Sequence, residues 1–417
     1  MREEEVVLSP LLFRGLVRRN GLSHSVGTVG TRPPVLFESN NDNTMNKTYY
    51  VGLDVHKETA AIAWAAGKGE PEFYGSCGAS LRNVETTLRK LARKLGTEFK
   101  ELKVAYEAGP TGFVLARRLI QLGLAVSVAA PSLIPRKTGE RIKTDRRDAL
   151  KLARLHRAGE LTAVHIPDGD DEAIRDVCRA RTDATDDMRR AKQRLKSFLL
   201  RNGHNYTGKG NWGAAHLKWL REVPLAKPAQ RMVLEEYIQA VDAGCGRVER
   251  LEQRMEELLQ TWARKDEVEA LMTFKGFKTV AAMTVVSELG DVGRFAHPRQ
   301  LMGFLGLVPG ERSSGASRRQ GGITKCGNSH VRWMLIEAAH SYRQPPKVSA
   351  QLTARQQGQS REVRELSWRA QHRLCGKFRK LTLRGLHRNK VVTAVARELA
   401  SFLWELNGLR GSGGLST

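Results

Sequence analysis

Four carboxylates stand where they could meet: Asp54, Glu107, Asp145 and Asp148. Asp54 closes the apolar run Tyr49-Tyr50-Val51-Gly52-Leu53, and Glu107 closes a second run, Leu102-Lys103-Val104-Ala105-Tyr106. Asp145 and Asp148 open an amphipathic stretch that continues Ala149-Leu150-Lys151-Leu152-Ala153-Arg154-Leu155. Acids at the ends of two strands can converge with two more acids three apart, because residues three apart are neighbours on a helix. Four carboxylates at one point repel each other unless cations sit between them, and hard oxygen ligands suit Mg²⁺ or Mn²⁺. Two such ions, roughly 3.5–4 Å apart, are a machinery of phosphodiester chemistry. An Asp at a strand end or helix start is commonly only a turn or cap residue. The joint placement of four acids in a very basic chain favours the metal reading.

A second candidate centre lies downstream. The apolar run Leu305 to Val308 leads into a Pro309-Gly310 turn, then a loop with Ser313-Ser314-Gly315, flanked by Arg312, Arg318 and Arg319. Lys325, Asn328 and Arg332 follow, and Gly327-Asn328 reads as a helix start. A serine hydroxyl among fixed cations could attack a phosphodiester while the cations stabilise the pentavalent charge. Taken alone, a Ser-Gly pair is far more often a turn than a nucleophile.

The composition points the same way. The 417 residues carry a formal net charge of +25, and the pI is about 10.2. Such a chain seeks a polyanion, either nucleic acid or an anionic membrane surface. The basic residues spread over several expected helices and no run of 18 apolar residues occurs, which favours nucleic acid over a membrane. They are densest over 361–397, which includes Arg373, Lys377 and Lys380. A charge run is usually a solvated face, but acids are few here, so nucleic-acid contact is expected. Five cysteines at long spacings argue against a disulfide framework and for a reducing compartment. Cys326 and His330 have no second ligand pair nearby, so no zinc site is expected.

The elements that must position these residues are legible as patterns. Strands are expected at 48–55, 59–66 and near Phe73-Tyr74, a helix over 80–95 and a strand at 102–106. A helix from Pro110 to Leu122, a strand at 124–129 and a helix from Asp145 to Ala158 complete the set. The order β-β-β-α-β-α-β-α is the ribonuclease H topology, so the N-terminal part is expected to be α/β. Next, Val177, Ala184, Met188, Ala191, Leu195 and Phe198 form one heptad-like stripe, and Leu234, Ile238, Val241, Cys245, Val248, Met255, Leu259 and Trp262 form another. Two long helices joined by a Gly- and Trp-containing connector over 208–212 predict an antiparallel coiled-coil hairpin, packed within one subunit or used as a dimerisation arm. Gly244 and Gly246 should weaken its second helix. Residues 274–282 read as helix, glycine turn and helix, an arrangement whose N–H groups bind phosphate. The expected domains are an extension or disordered arm at 1–45, an α/β domain at 46–165, the coiled-coil linker at 170–265, a mainly helical C-terminal domain at 268–410 and a disordered tail at 411–417.

These residues together resemble the DEDD transposases of the insertion-sequence 110 family, the bridge-RNA-guided, serine-dependent recombinases. The N-terminal match is Tyr50-Val51-Gly52-Leu53-Asp54-Val55-His56-Lys57, Glu107-Ala108-Gly109-Pro110-Thr111-Gly112 and Lys143-Thr144-Asp145-Arg146-Arg147-Asp148-Ala149. The C-terminal match runs from Gly276-Phe277-Lys278-Thr279 and Glu288-Leu289-Gly290-Asp291-Val292-Gly293-Arg294-Phe295 through Gly306-Leu307-Val308-Pro309, Ser314-Gly315 and Ile323-Thr324-Lys325-Cys326-Gly327-Asn328. The resemblance covers roughly residues 48–345 and implies a RuvC-like domain, a coiled-coil linker and a C-terminal transposase domain. It maps the four metal-binding acids onto Asp54, Glu107, Asp145 and Asp148, with Mg²⁺ or Mn²⁺ as cofactor. It maps the catalytic serine onto Ser314, five positions after Pro309, with Ser313 an adjacent rival. Cys326 stands where the family usually has a basic residue. The implied partners are DNA, a structured noncoding guide RNA and further copies of the chain in a homodimer or homotetramer. The implied setting is the bacterial cytoplasm and nucleoid. The competing reading is a RuvC-like metal-dependent nuclease that makes no covalent serine link.

Overall fold

The computed structural model describes residues 48–135, 144–314 and 317–412. The expected extension at 1–45, Lys143, Gly315 and the end of the tail lie outside these residues. The N-terminal part is a mixed sheet. Strands β1 (Tyr49–Val55), β2 (Thr59–Ala66) and β3 (Glu72–Gly78) form an antiparallel meander. Helix α1 (Leu81–Leu95) leads to β4 (Leu102–Glu107), α2 (Val114–Gln121) to β5 (Ala125–Ala129), and α3 (Asp145–Arg157) closes the unit. The strand order is β3-β2-β1-β4-β5, with β4 parallel to β1 and β5 parallel to β4. The element order agrees with that expected. One boundary does not: α2 begins at Val114 and not at Pro110, because Gly112 adopts a left-handed φ of 65° and its N–H bonds to the Gly109 carbonyl in a turn.

The two faces of the sheet are packed differently. Val51, Leu53, Val104 and Tyr106 join residues of α1 and α2, such as Leu88 and Leu119, in an aliphatic core. On the other face α3 lies on β1 and β2, and its Ala149 and Ala153 meet Ala61, Ala63 and Ala65. Small side chains let the helix come close, and Gly52 brings it closest. A Cβ at residue 52 would lie 2.9 Å from the Leu152 Cβ and would overlap the backbone of Ala149 and Ala153.

Two long helices follow, α4 (Gly169–Arg201) and, after the short α5 (Ala214–Glu222), α6 (Pro228–Leu259). Asp171 meets Trp262, Arg181 meets Glu252, Met188 meets Cys245 and Asn202 meets Gln230, so the two run antiparallel. Most of the expected stripe positions are buried, among them Ala184, Leu195, Leu234, Val241 and Met255. Helix α6 is continuous through Gly244, where a Cβ would sit 3.2 Å from the Met188 Cα. That glycine permits close helix approach. The expected connector over 208–212 is irregular, and the short helix α5 that follows it, not expected, buries Leu220 against the helix pair and His216 among Tyr206, Trp212 and Trp219.

The remainder is mainly helical: α7 (Lys265–Met272), α8 (Thr279–Leu289), α9 (Pro298–Phe304), then β6 (Pro309–Ser314) and β7 (Ser317–Ile323), and α10 (Ser329–His340), α11 (Ala350–Arg355), α12 (Arg361–Leu383) and α13 (Arg388–Ser412). The expected turn between α7 and α8 is present. Gly276 takes φ 94° there, and a Cβ on it would be 2.6 Å from the Ala338 carbonyl oxygen of α10. The polar stretch after Pro309, expected as a loop, is an antiparallel hairpin in which the backbone groups of each arm satisfy the other's. The helical stretch expected over 361–397 is broken at Gly385, φ 72°. Gly411 and Ser412, expected in the tail, continue α13. Among the described residues no helix is long and apolar enough to cross a membrane.

The pinch at Gly52 yields a stability prediction. Overpacking a close contact costs about 1–3 kcal/mol, so Gly52→Ala should lower the free energy of unfolding by about that amount, measured in urea. A variant as stable as the parent would show that α3 is not held against β1 as described.

Candidate functional site

Side chains alternate along a strand, and Asp54 shares a face of β1 with Gly52 and Tyr50. Tyr50 meets the His156 ring of α3 edge-on and Gly52 abuts the α3 backbone, so Asp54 is on the side that α3 covers. β1 and β4 pair in parallel through Leu53 and Tyr106. Glu107 is therefore the next register neighbour of Asp54, one strand spacing of about 4.8 Å away. It shares that face with Lys103, whose ammonium lies over the Tyr50 ring. Thr144 caps α3 by accepting the Arg147 N–H, which makes Asp145 the first helical residue and sets Asp148 one turn on. Carboxylates in a first turn are favoured by the helix dipole.

The electrostatics report the convergence of three acids. Burial pushes the Asp54 carboxyl above its ordinary value, His56 draws it back down, and the charges of Asp148 and Asp145 push it up. His56 was not singled out from sequence. Its Nε2 is 3.2 Å from Asp54 Oδ2 and 3.4 Å from Asp145 Oδ1. The signal that could have found it is the two-residue spacing from Asp54, which keeps both on one side of the chain as β1 ends. One ligand atom from each of Asp54, His56 and Asp145 lies within 4.8 Å of the others. Two carboxylate oxygens and an imidazole nitrogen, with Asp148 alongside, form a donor set that fits a divalent cation.

The serines are separated by the hairpin. In its register Arg312 faces Arg319, Ser313 faces Arg318, and Ser314 faces Ser317. Alternation puts Ser314 on the Arg312 and Arg319 face. Ser313 is on the opposite face, where its hydroxyl donates to Glu311 Oε1 at 2.7 Å. Ser314, Arg312 and Arg319 are exposed.

The other expected nucleic-acid contacts divide into two groups. Lys325 is exposed at a left-handed φ of 57°, and Lys380 is exposed on α12. The rest are engaged within the fold. Asn328 caps α10 by accepting the Val331 N–H at 3.0 Å, and its amide donates to Glu288 Oε2 at 2.7 Å. Arg332 donates to the carbonyls of Leu305 and Cys326 at 2.9 and 3.0 Å. Arg373 and Lys377 both pair with Glu398 of α13. Glu398, just beyond the basic stretch 361–397, thus reaches back to α12 and neutralises part of it. Glu288, within the matched C-terminal motif, joins three helices. Its buried carboxylate takes Arg179 Nε at 2.7 Å and Nη2 at 3.0 Å, and so ties α4 and α8 to the start of α10. Burial would raise its pKa, but the hydrogen bonds from Arg179 and Asn328 outweigh burial and hold it below the ordinary carboxyl value.

Known proteins are similar to this sequence. The family profile described as "Transposase IS116/IS110/IS902 family" matches residues 268–352, and a DEDD transposase profile of the IS110 type matches residues 51–202. A transposase-named protein of Sinorhizobium fredii, y4qE, is 42% identical over 404 residues, covering 96% of each chain. The transposase for insertion sequence element IS1533 of Leptospira borgpetersenii is 32% identical over 344 residues, 81% of this chain and 97% of that one. The transposase for insertion sequence element IS1328 of Yersinia enterocolitica is 25% identical over 247 residues, 58% of this chain and 71% of its own length.

The Glu288 junction has a pH signature. A carboxyl whose folded pKa is depressed contributes stability above its unfolded pKa, and that contribution is lost as pH falls through the folded value. Glu288→Gln should lower the unfolding free energy by about 2 kcal/mol at neutral pH. The gap to the parent should close as pH drops below the ordinary carboxyl value of 4.5. Urea unfolding across pH checks it; a gap independent of pH would show that the charge of Glu288 contributes nothing.

Proposed function

The chain belongs to the IS116/IS110/IS902 family of insertion-sequence transposases, and from that membership we propose that it cuts and joins DNA through a metal-assisted serine nucleophile. The observation that carries the reading is the meeting of Asp54, Asp145 and Asp148 where β1 ends and α3 begins. Glu107 completes the four-acid set in a ribonuclease H, RuvC-like domain. These acids, with His56 beside them, would hold Mg²⁺ or Mn²⁺. When bound, such a cation supplies positive charge and Lewis acidity toward a phosphodiester oxygen.

The chain's own residues supply the rest. Ser314 attacks the scissile phosphorus: the Oγ–P bond forms as the hydroxyl gives up its proton, the bond to a deoxyribose oxygen breaks and that oxygen leaves as a hydroxyl with a proton, and the DNA is left ester-linked to the protein. Arg312 and Arg319, on the same hairpin face, balance the charge that develops on the phosphoryl oxygens. Ser313 is the weaker nucleophile candidate, because its hydroxyl is directed to Glu311. The paired helices α4 and α6 act as a coiled-coil arm that assembles subunits into a homodimer or homotetramer. A structured noncoding RNA pairs with donor and target DNA, so that base pairing reads the sequence while the protein reads backbone and shape.

The decisive experiment incubates the full chain with DNA from its own element, with and without the noncoding RNA flanking the gene, and resolves products on a denaturing gel. A covalent protein–DNA adduct is expected only with the RNA. Ser314→Ala should abolish it while leaving RNA binding unchanged, and Ser313→Ala should be much milder. Asp54→Ala and Asp148→Ala should each abolish recombination without unfolding the protein. Cleavage that survives Ser314→Ala without an adduct would instead mark a metal-dependent nuclease that uses water.

A further inference from the structure

The distal half of α4 carries a charge pattern that the catalytic reading does not use. Residues 169–187 hold seven acids and three Lys or Arg, whereas residues 188–221 hold nine Lys or Arg and no acid. The change of sign falls within one continuous helix. A cleft of about 330 Å³ opens on the basic half, lined by Arg190, Gln193, Arg194, Ser197 and Arg201 of α4 and by Tyr237 of α6. It begins about 30 Å along α4 from that helix's first residue, at 1.5 Å per residue.

The lining reads as a rail for a backbone and not as a socket for one ion. Positions 190, 194, 197 and 201 fall on one helical stripe, about 16 Å long. Each strand of a duplex presents one phosphate per 3.4 Å or so of helix axis, so the stripe is long enough to meet several successive phosphates. Guanidinium groups recognise phosphate in a bidentate fork, and Gln193 and Ser197 add neutral donors between them. Arg194 and Arg201 are exposed and, among the described residues, have no ion-pair partner. Arg190 makes a surface pair with Asp187 at 3.2 Å, an interaction worth about 0–1 kcal/mol that does not withhold its charge. The Tyr237 ring is braced by Phe198 at 5.5 Å, which gives the cleft a fixed aromatic wall.

We propose that this cleft binds the phosphodiester backbone of duplex DNA, making the helical arm a docking site remote from the acids. The test uses the full chain and fluorescence anisotropy with a labelled mixed-sequence DNA duplex and a labelled RNA hairpin, each over a range of salt. The triple variant Arg190→Gln, Arg194→Gln, Arg201→Gln should weaken binding of the duplex tenfold or more. The slope of log affinity against log salt should fall by about 2–3, one step for each lost phosphate contact. Loss with the RNA hairpin alone would overturn the assignment to duplex DNA. An equal charge change on α1, Arg82→Gln, Lys90→Gln and Arg93→Gln, controls for net charge. A loss with the duplex no greater than this control's would overturn the proposal. All three arginines are at the surface, so an unchanged melting temperature is expected; Arg194→Glu alone gives the same reading should the triple variant fail to fold. Because the readout is affinity, it is independent of whether Ser314 forms an adduct.

Discussion

The close seat of α3 on β1 is the contact on which the acidic site depends. Asp145 and Asp148 are more than 90 residues from Asp54 along the chain, and no local rule brings them to it. The helix reaches the sheet because Gly52 has no Cβ and because Ala61, Ala63, Ala65, Ala149 and Ala153 are small. A bulkier seam would lift the start of α3 away from the end of β1. The capping of Asp145's helix by Thr144 then fixes which residues form its first turn. Packing that looks like ordinary core economy on this face of the sheet is what concentrates negative charge at one point.

That concentration stands out against a chain with a net charge of +25. Burial and two neighbouring carboxylates raise the Asp54 pKa, with His56 opposing them. This is the signature of a place short of positive charge. Elsewhere the fold neutralises cations that looked available: Glu398 takes Arg373 and Lys377, and Glu405 takes Arg369. The net charge alone therefore overstates the surface offered by α12. The basic half of α4 is the contrasting case, since the acids of that helix are confined to its other half.

The helical arm and the serine hairpin are mechanically related. Arg179 of α4 holds Glu288 of α8, and Glu288 holds Asn328, the cap of α10 that follows the hairpin. Arg332 ties the carbonyls of Leu305 and Cys326, on either side of the hairpin. Gly306 and Gly327 allow the two flanking segments to cross in direct backbone contact. The motif glycines and Glu288 therefore build the base on which Ser314 is presented.

Much of this was legible in the chain itself. Alternation and helical spacing are local properties, so the strands ending at Asp54 and Glu107, the helix opening at Asp145, the long paired helices and the cap at Asn328 could be read directly. The tertiary structure decided what depends on distant partners. It set His56 between two carboxylates and turned Ser313 toward Glu311, leaving Ser314 beside two arginines. It made a hairpin of an expected loop, and added α5 after the expected connector. It also determined which cations are already paired within the fold. A residue type and its spacing state what chemistry is possible; the partner that engages or frees a side chain is chosen by packing between segments far apart in sequence.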